Sequence, residues 1–155
     1  MELWYSEKNT ETCKFSIKVK EQIYSEQTPF QKIAFFESYD FGRFFTLDGL
    51  MMVNEKDEFI YHDMITHIPM AVNPNIKKVM VIGGGDGGTI RELTRYPGIE
   101  SIDFVEIDER VVQLCKEYLP LTSCRLDDER VNSHFVDGIK FVKEKKSYYD
   151  LILVD

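Results

Sequence analysis

Hydrophobic and polar positions change their period after about the first third of the chain. From Cys13 to Lys20 they alternate, with Phe15, Ile17 and Val19 on one face and Ser16, Lys18 and Lys20 on the other, the period of a half-buried strand. The stretches QKIAFFES and GRFFTL, residues 31–38 and 42–47, are rich in aromatic and β-branched residues, and Asp48-Gly49 between Leu47 and Leu50 is a hairpin turn signal. Residues 1–54 therefore read as a small antiparallel β domain.

Asp57 can cap a helix through EFIYHDMITHI, in which Ile60, Met64 and Ile68 fall on one stripe, and Pro69 and Pro74 close the segment. Beyond it the rhythm becomes strand–helix. VMVI, IDFV, VNSHFV and LILV alternate with the helical stretches TIRELTRY, RVVQLCKEYL and IKFVKEKK, as in a parallel sheet with helices on both faces. Val111, Val112, Cys115, Tyr118 and Leu119 have helical spacing, and Pro120 ends that helix. The predicted fold class is α/β: an antiparallel β domain over 1–54, then the first part of a doubly wound, Rossmann-like parallel sheet over 55–155. The last strand runs directly to Asp155 and is wholly apolar, so it would be left exposed along one edge. The expectation is a front portion of a longer protein, prone to association or poorly stable alone.

Composition narrows the function. A hydrophobic content of 43% with 13% aromatics describes a globular chain. No apolar run approaches the roughly 18 residues of a membrane span, and MELWYSEKN lacks the pattern of a signal peptide, so a cytoplasmic location is expected. The net charge of −8 disfavours nucleic acid and anionic membranes and suits a cationic small ligand, although solubility alone is a common cause of such a charge. Cys13, Cys115 and Cys124 have no disulfide or zinc spacing, and His62 and His67 miss the i, i+4 relation of paired helical ligands, so no metal is expected.

The candidate chemistry lies in VMVIGGGDGGTIREL. Gly83, Gly85 and Gly88, with Gly84 and Gly87 between them, satisfy G-x-G-x-x-G after a strand and before a helix, and Glu106 ends the next strand about twenty residues on. A dinucleotide is the obvious ligand of such a loop, but Asp86 inside it would repel a pyrophosphate. A sulfonium nucleoside has no phosphate and presents a cationic amine there, which the acid attracts. Asp86 could equally cap the following helix. Glu106 can accept both ribose hydroxyls, or simply be a solvated strand-end acid. Asp137, before Gly138, can accept an adenine amine or form a plain Asp-Gly turn. Asp155 ends the fourth strand. The topology sends Asp86, Glu106, Asp137 and Asp155 to one edge of one sheet, where doubly wound folds bind ligands.

LDGLMMVNEKDEFIYHDMITHIP followed by VMVIGGGDGGTIREL, VEID, DG and YDLILVD closely resembles the polyamine aminopropyltransferases, the spermidine synthase family. SEQTPFQKI, with Gln31, belongs to the same pattern. The resemblance implies transfer of the aminopropyl group of decarboxylated S-adenosylmethionine to putrescine, giving spermidine and methylthioadenosine, with no cofactor beyond the co-substrate. It implies that Asp86 binds the donor's amine, Glu106 the ribose and Asp137 the adenine, that Gln31 contacts the donor, and that Tyr61 and His62 line the channel where donor and polyamine meet. Asp155 matches the catalytic acid, and the family relation implies a homodimer or homotetramer. Full-length members continue past the position of Asp155 with a second acid and further strands, which bear on the acceptor half of the site.

Three other readings stay open. A methyltransferase using intact S-adenosylmethionine would share the sheet but has no need of the β-module with DEFIYH. A non-catalytic binding or subunit-interaction module would use its hairpins for pairing. A nicotinamide dehydrogenase is disfavoured by Asp86.

Overall fold

A computed structural model describes residues 2–155. The chain divides into two compact units, Met1–Glu58 and Phe59–Asp155. The first contains β1 (Leu3–Lys8), β2 (Lys14–Gln27), β3 (Lys32–Ser38), β4 (Arg43–Leu47) and β5 (Leu50–Asn54), paired antiparallel in chain order. Tyr5, Ile17, Val19 and Phe44 form its buried cluster, flanked by Phe36, Phe41 and Met51. Rings stack across strands, Phe36 on Phe44 at 5.1 Å, and the Tyr5 hydroxyl donates to the Gly49 carbonyl at 2.7 Å.

The hairpin between β4 and β5 turns at Asp48 (φ 50°) and Gly49 (φ 82°), the two left-handed residues of a type I′ turn. The Asp48 carboxylate also accepts the Lys32 N–H at 2.8 Å. β2 is longer than the alternation predicts. It breaks register between Val19 and Glu21 and again between Gln22 and Tyr24, so its first half pairs with β1 and its second with β3. These irregularities interrupt the two-residue period at the polar run Lys20-Glu21-Gln22, which is why the sequence shows only the first half.

The second unit holds α1 (Glu58–Val72), β6 (Lys78–Ile82), α2 (Gly88–Leu93), β7 (Ser101–Glu106), α3 (Glu109–Tyr118), β8 (Val131–Phe135), α4 (Gly138–Lys143) and β9 (Leu151–Val154). Its four strands are all parallel, in the order β8-β7-β6-β9, with β6 central and β9 at an edge. Val79 and Val81 of β6, Ile102 and Phe104 of β7 and Leu153 of β9 pack with Met70, Ile90, Leu93 and Val112. This is the antiparallel sheet followed by a parallel α/β sheet that the sequence predicts.

Two expectations for α1 are corrected. The stripe Ile60, Met64, Ile68 lies on the exposed side, and the buried stripe is His62, Thr66 and Met70. Two of those three are polar, which hides the buried face from a hydrophobic periodicity. Pro69 does not close the helix: Asn73 N–H still reaches the Pro69 carbonyl at 3.0 Å, and the helix runs to Val72. Ahead of it, the Asn54 side chain accepts the N–H groups of Lys56 and Asp57 at 3.1 and 3.3 Å.

α2 is shorter than its sequence suggests: after Leu93 the chain tightens, with the Arg95 N–H on the Glu92 carbonyl at 3.2 Å and the Tyr96 N–H on the Leu93 carbonyl at 3.1 Å. Arg130, arriving before β8, takes the carbonyls of Thr94 and Tyr96 at 2.7 and 3.1 Å. α3 starts where the Asp108 carboxylate accepts the Arg110 N–H at 3.1 Å. Cys115 is among the buried residues of this helix, while Cys13 and Cys124 are exposed.

Candidate active site

Parallel pairing of β6, β7, β8 and β9 brings their carboxyl ends to one edge of the sheet, with Asp86, Glu106, Asp137 and Asp155 on or just after those ends. The turn from β6 into α2 is tight. At Gly84 (φ +74°) an added Cβ would lie 2.6 Å from Asp155 Oδ2, and at Gly88 it would lie 2.2 Å from the His62 ring. Side chains at these two points would displace the acid and the histidine, so glycine lets both approach the loop.

Asp86 is 5% exposed. Its Oδ1 accepts the Gly88 N–H at 2.8 Å and lies 3.2 Å from His62 Nε2. The acid therefore fastens the first turn of α2 and at the same time faces a buried histidine, and capping and ligand contact are compatible. His62, Asp86 and Asp155 bring one donor or acceptor atom each within 4.8 Å of one another.

Asp155 is tied to its surroundings by neutral hydroxyls. Thr89 Oγ1 donates to its Oδ2 at 2.6 Å, and the Tyr61 hydroxyl is a second partner. Burial raises the Asp155 carboxyl above the ordinary range, the Thr89 bond opposes that, and the neighbouring Asp86 charge adds to it; Tyr61 and His62 pull the other way. The same crowding pushes the Tyr61 phenol up to about 12, chiefly by burial and then by the Asp155 charge. Tyr61 is half-exposed, whereas its neighbour His62 is wholly buried, the two rings meeting edge-on at 5.3 Å.

Glu106 is 9% exposed. Its Oε1 accepts the Asp108 N–H at 3.0 Å, and the Gly85 backbone runs beside its Oε2. Burial raises its pKa and the backbone N–H groups of Asp108, Ile107 and Gly85 restrain the rise. Asp137 caps α4: its Oδ1 accepts the N–H groups of Ile139 at 2.8 Å and Lys140 at 3.3 Å. Gly138 lets that turn sit on Ile82. Gln31 belongs to the first unit, in the turn where Thr28 N–H reaches its carbonyl at 2.9 Å.

The sequence reading passes over two features of the second unit. One is Thr89, the residue following GGGDGG, buried in the first turn of α2 and joined to a partner 66 residues away, a position that carries no signal of its own in the sequence. The other is a polar cluster of Asp63, His67, Glu92 and Tyr96. His67 Nδ1 meets the Tyr96 hydroxyl at 2.6 Å and its Nε2 lies 3.2 Å from Glu92, which is also held by Arg91 and Arg95. Asp63 and His67 have i, i+4 spacing, which the sequence shows, but Glu92 comes from α2. Among the described residues no helix is long and apolar enough to cross a membrane.

Comparison with known proteins covers the whole chain. The sequence profile described as the spermine/spermidine synthase domain matches residues 58–155, and that described as the spermidine synthase tetramerisation domain matches residues 3–55. The chain is 67% identical over 155 residues to the polyamine aminopropyltransferase of Clostridium beijerinckii, and 67% identical to that of Alkaliphilus oremlandii; each match takes in 100% of this chain and 55% of the relative. Among solved structures, a spermidine synthase in complex with the transition state analogue AdoDATO superposes with a TM-score of 0.96 at 42% identity, over 99% of this chain and 54% of that one. The spermidine synthase of Thermotoga maritima gives 0.95 at 42% identity, over 98% of this chain and 54% of that one. The chain thus spans about half the length of the curated relatives it matches.

Proposed function

Because the chain belongs to the spermine/spermidine synthase family, we propose that it supplies the donor half and the catalytic acid of a polyamine aminopropyltransferase. The reaction is transfer of the aminopropyl group of decarboxylated S-adenosylmethionine to putrescine, giving spermidine and methylthioadenosine. The observation that carries this reading is the convergence of Asp86 and Asp155 with His62, within 4.8 Å, beside a glycine loop that contains an acid.

Asp86 holds the ammonium end of the aminopropyl chain, and its charge disfavours the carboxylate of intact S-adenosylmethionine. Glu106 accepts the ribose hydroxyls and Asp137 the adenine amine. Tyr61 and His62 border the space where the donor and polyamine chains meet. Putrescine arrives as a dication, so one amine must lose a proton before its lone pair can attack. Asp155 takes that proton, assistance worth roughly 100- to 10,000-fold. The amine nitrogen then bonds to the methylene carbon attached to sulfur, the carbon–sulfur bond breaks, and its electron pair stays on sulfur as a neutral thioether. No acid is needed for departure, and no cofactor enters.

The match of residues 3–55 to a tetramerisation domain supports a homo-oligomer built through the N-terminal sheet. The test is direct: the full-length gene product is incubated with decarboxylated S-adenosylmethionine and putrescine, and the polyamines are separated by mass. Spermidine and methylthioadenosine appear in equal amounts, and Asp155→Asn lowers their rate at least 100-fold. Methyl transfer from intact S-adenosylmethionine with no spermidine would overturn the reading.

A further inference from the structure

Thr89 occupies the first turn of α2, Gly88–Leu93, and is wholly buried. Serine and threonine in a helix ordinarily turn their hydroxyls to solvent or to a backbone carbonyl of the preceding turn. Thr89 does neither. Its hydroxyl donates to Asp155 Oδ2 at 2.6 Å, a partner 66 residues away and at the end of a different strand. Gly84 completes the arrangement, because its lack of a side chain lets that same oxygen lie against the loop.

Resting on the aminopropyltransferase reading above, we propose that Thr89 is a positioning residue: its hydroxyl holds the Asp155 carboxylate, through Oδ2, in the orientation that meets the attacking amine. The groups facing Asp155 explain why such a tether is needed. From α1 come the Tyr61 hydroxyl and the His62 ring, from the glycine loop the Asp86 carboxylate, and from α2 the Thr89 hydroxyl. Asp86 repels the acid while the ligand's charges are absent, and a carboxylate free to rotate would turn away from it. A donor hydroxyl on one oxygen opposes that rotation. The same bond favours the ionised form, which is the form able to receive a proton.

The proton acceptor works only when ionised, so activity falls as pH drops through its pKa. Thr89→Val removes the donor at nearly constant volume, leaving burial and Asp86 to raise that pKa further. The acid limb of kcat in the full-length gene product then moves up by about one pH unit, with about tenfold slower turnover below the limb. The KM for decarboxylated S-adenosylmethionine stays unchanged because Asp86 is untouched. Thr89→Ser, which keeps the hydroxyl, restores the wild-type profile, and a purely packing role for the threonine methyl would not give that rescue. The carboxyl 13C resonance of Asp155 is titrated in all three proteins as an independent readout. It titrates higher in T89V and returns in T89S. An active T89V enzyme with the wild-type pH profile, or identical Asp155 titrations in the three proteins, overturns the inference. A wild-type protein that makes no spermidine overturns the functional reading instead, and the titration still decides whether Thr89 controls Asp155.

Discussion

One oxygen of Asp86 serves two neighbours, accepting the Gly88 N–H and facing His62. Replacing the acid by Asn keeps the size and removes the charge. In the full-length gene product, Asp86→Asn weakens binding of decarboxylated S-adenosylmethionine by about 10- to 100-fold, the scale of a lost hydrogen bond to a charged group. Intact S-adenosylmethionine binds the variant no worse than it binds the wild type, and unchanged selectivity in competitive titrations would contradict the assignment. Gly88→Ala tests the packing beneath. Its Cβ would meet a buried imidazole at 2.2 Å, an overpacking that costs about 1–3 kcal/mol and lowers the melting temperature by about 3–10 °C in scanning calorimetry. At this scale the sequence was informative where an acid stood at an odd place. Asp86 within a phosphate-type loop and Asp155 at a strand end both carry a chemical contradiction that can be read without coordinates. Thr89 does not, since a threonine in a first helical turn is ordinary and its partner lies 66 residues away.

In the second unit α3 and α4 are capped by the acids just ahead of them, Asp108 and Asp137, whereas the stretch after α2 is held by a side chain from the loop before β8. Arg130 takes two carbonyls after α2 and pairs with Asp128 at 2.8 Å. The Asp128 carboxyl is held down at about 2, chiefly by the Arg130 guanidinium. A folded-state pKa below the unfolded value of about 3.9 gives stability that is present above that value and lost as pH falls towards 2. Arg130→Gln therefore lowers stability at neutral pH and flattens its dependence on pH between about 4 and 2, measured by urea unfolding across that range. A variant as steeply pH-dependent there as the wild type would contradict this linkage. The α/β rhythm was legible from the apolar runs of β6 and β9, the pattern of parallel strands, and from the amphipathic stretches between the strands. The inner face of α1 was not, because His62 and Thr66 are polar residues buried for the site and the packing around it. The second half of β2 was hidden by its two register breaks.

Across the molecule, apolar surface is left open in the second unit. Ile60, Met64, Ile68 and Val72 are exposed along α1, and Ile152 and Val154 along the edge strand β9. The 155-residue chain alone is predicted to self-associate. Sedimentation velocity reads this as mass that grows with concentration, and Glu at Ile60 and Met64 reduces it; a monodisperse monomer at all concentrations would contradict the prediction.

The central claim is that an acid in the glycine loop converts a nucleotide-type fold into a selector for a cationic, decarboxylated donor. Calorimetric titration of the full-length gene product with decarboxylated S-adenosylmethionine, intact S-adenosylmethionine and NAD, under one set of conditions, tests it most directly. The account predicts binding of the decarboxylated donor at least tenfold tighter than the intact one and none of NAD; equal affinity for the two donors, or preference for NAD, would contradict it.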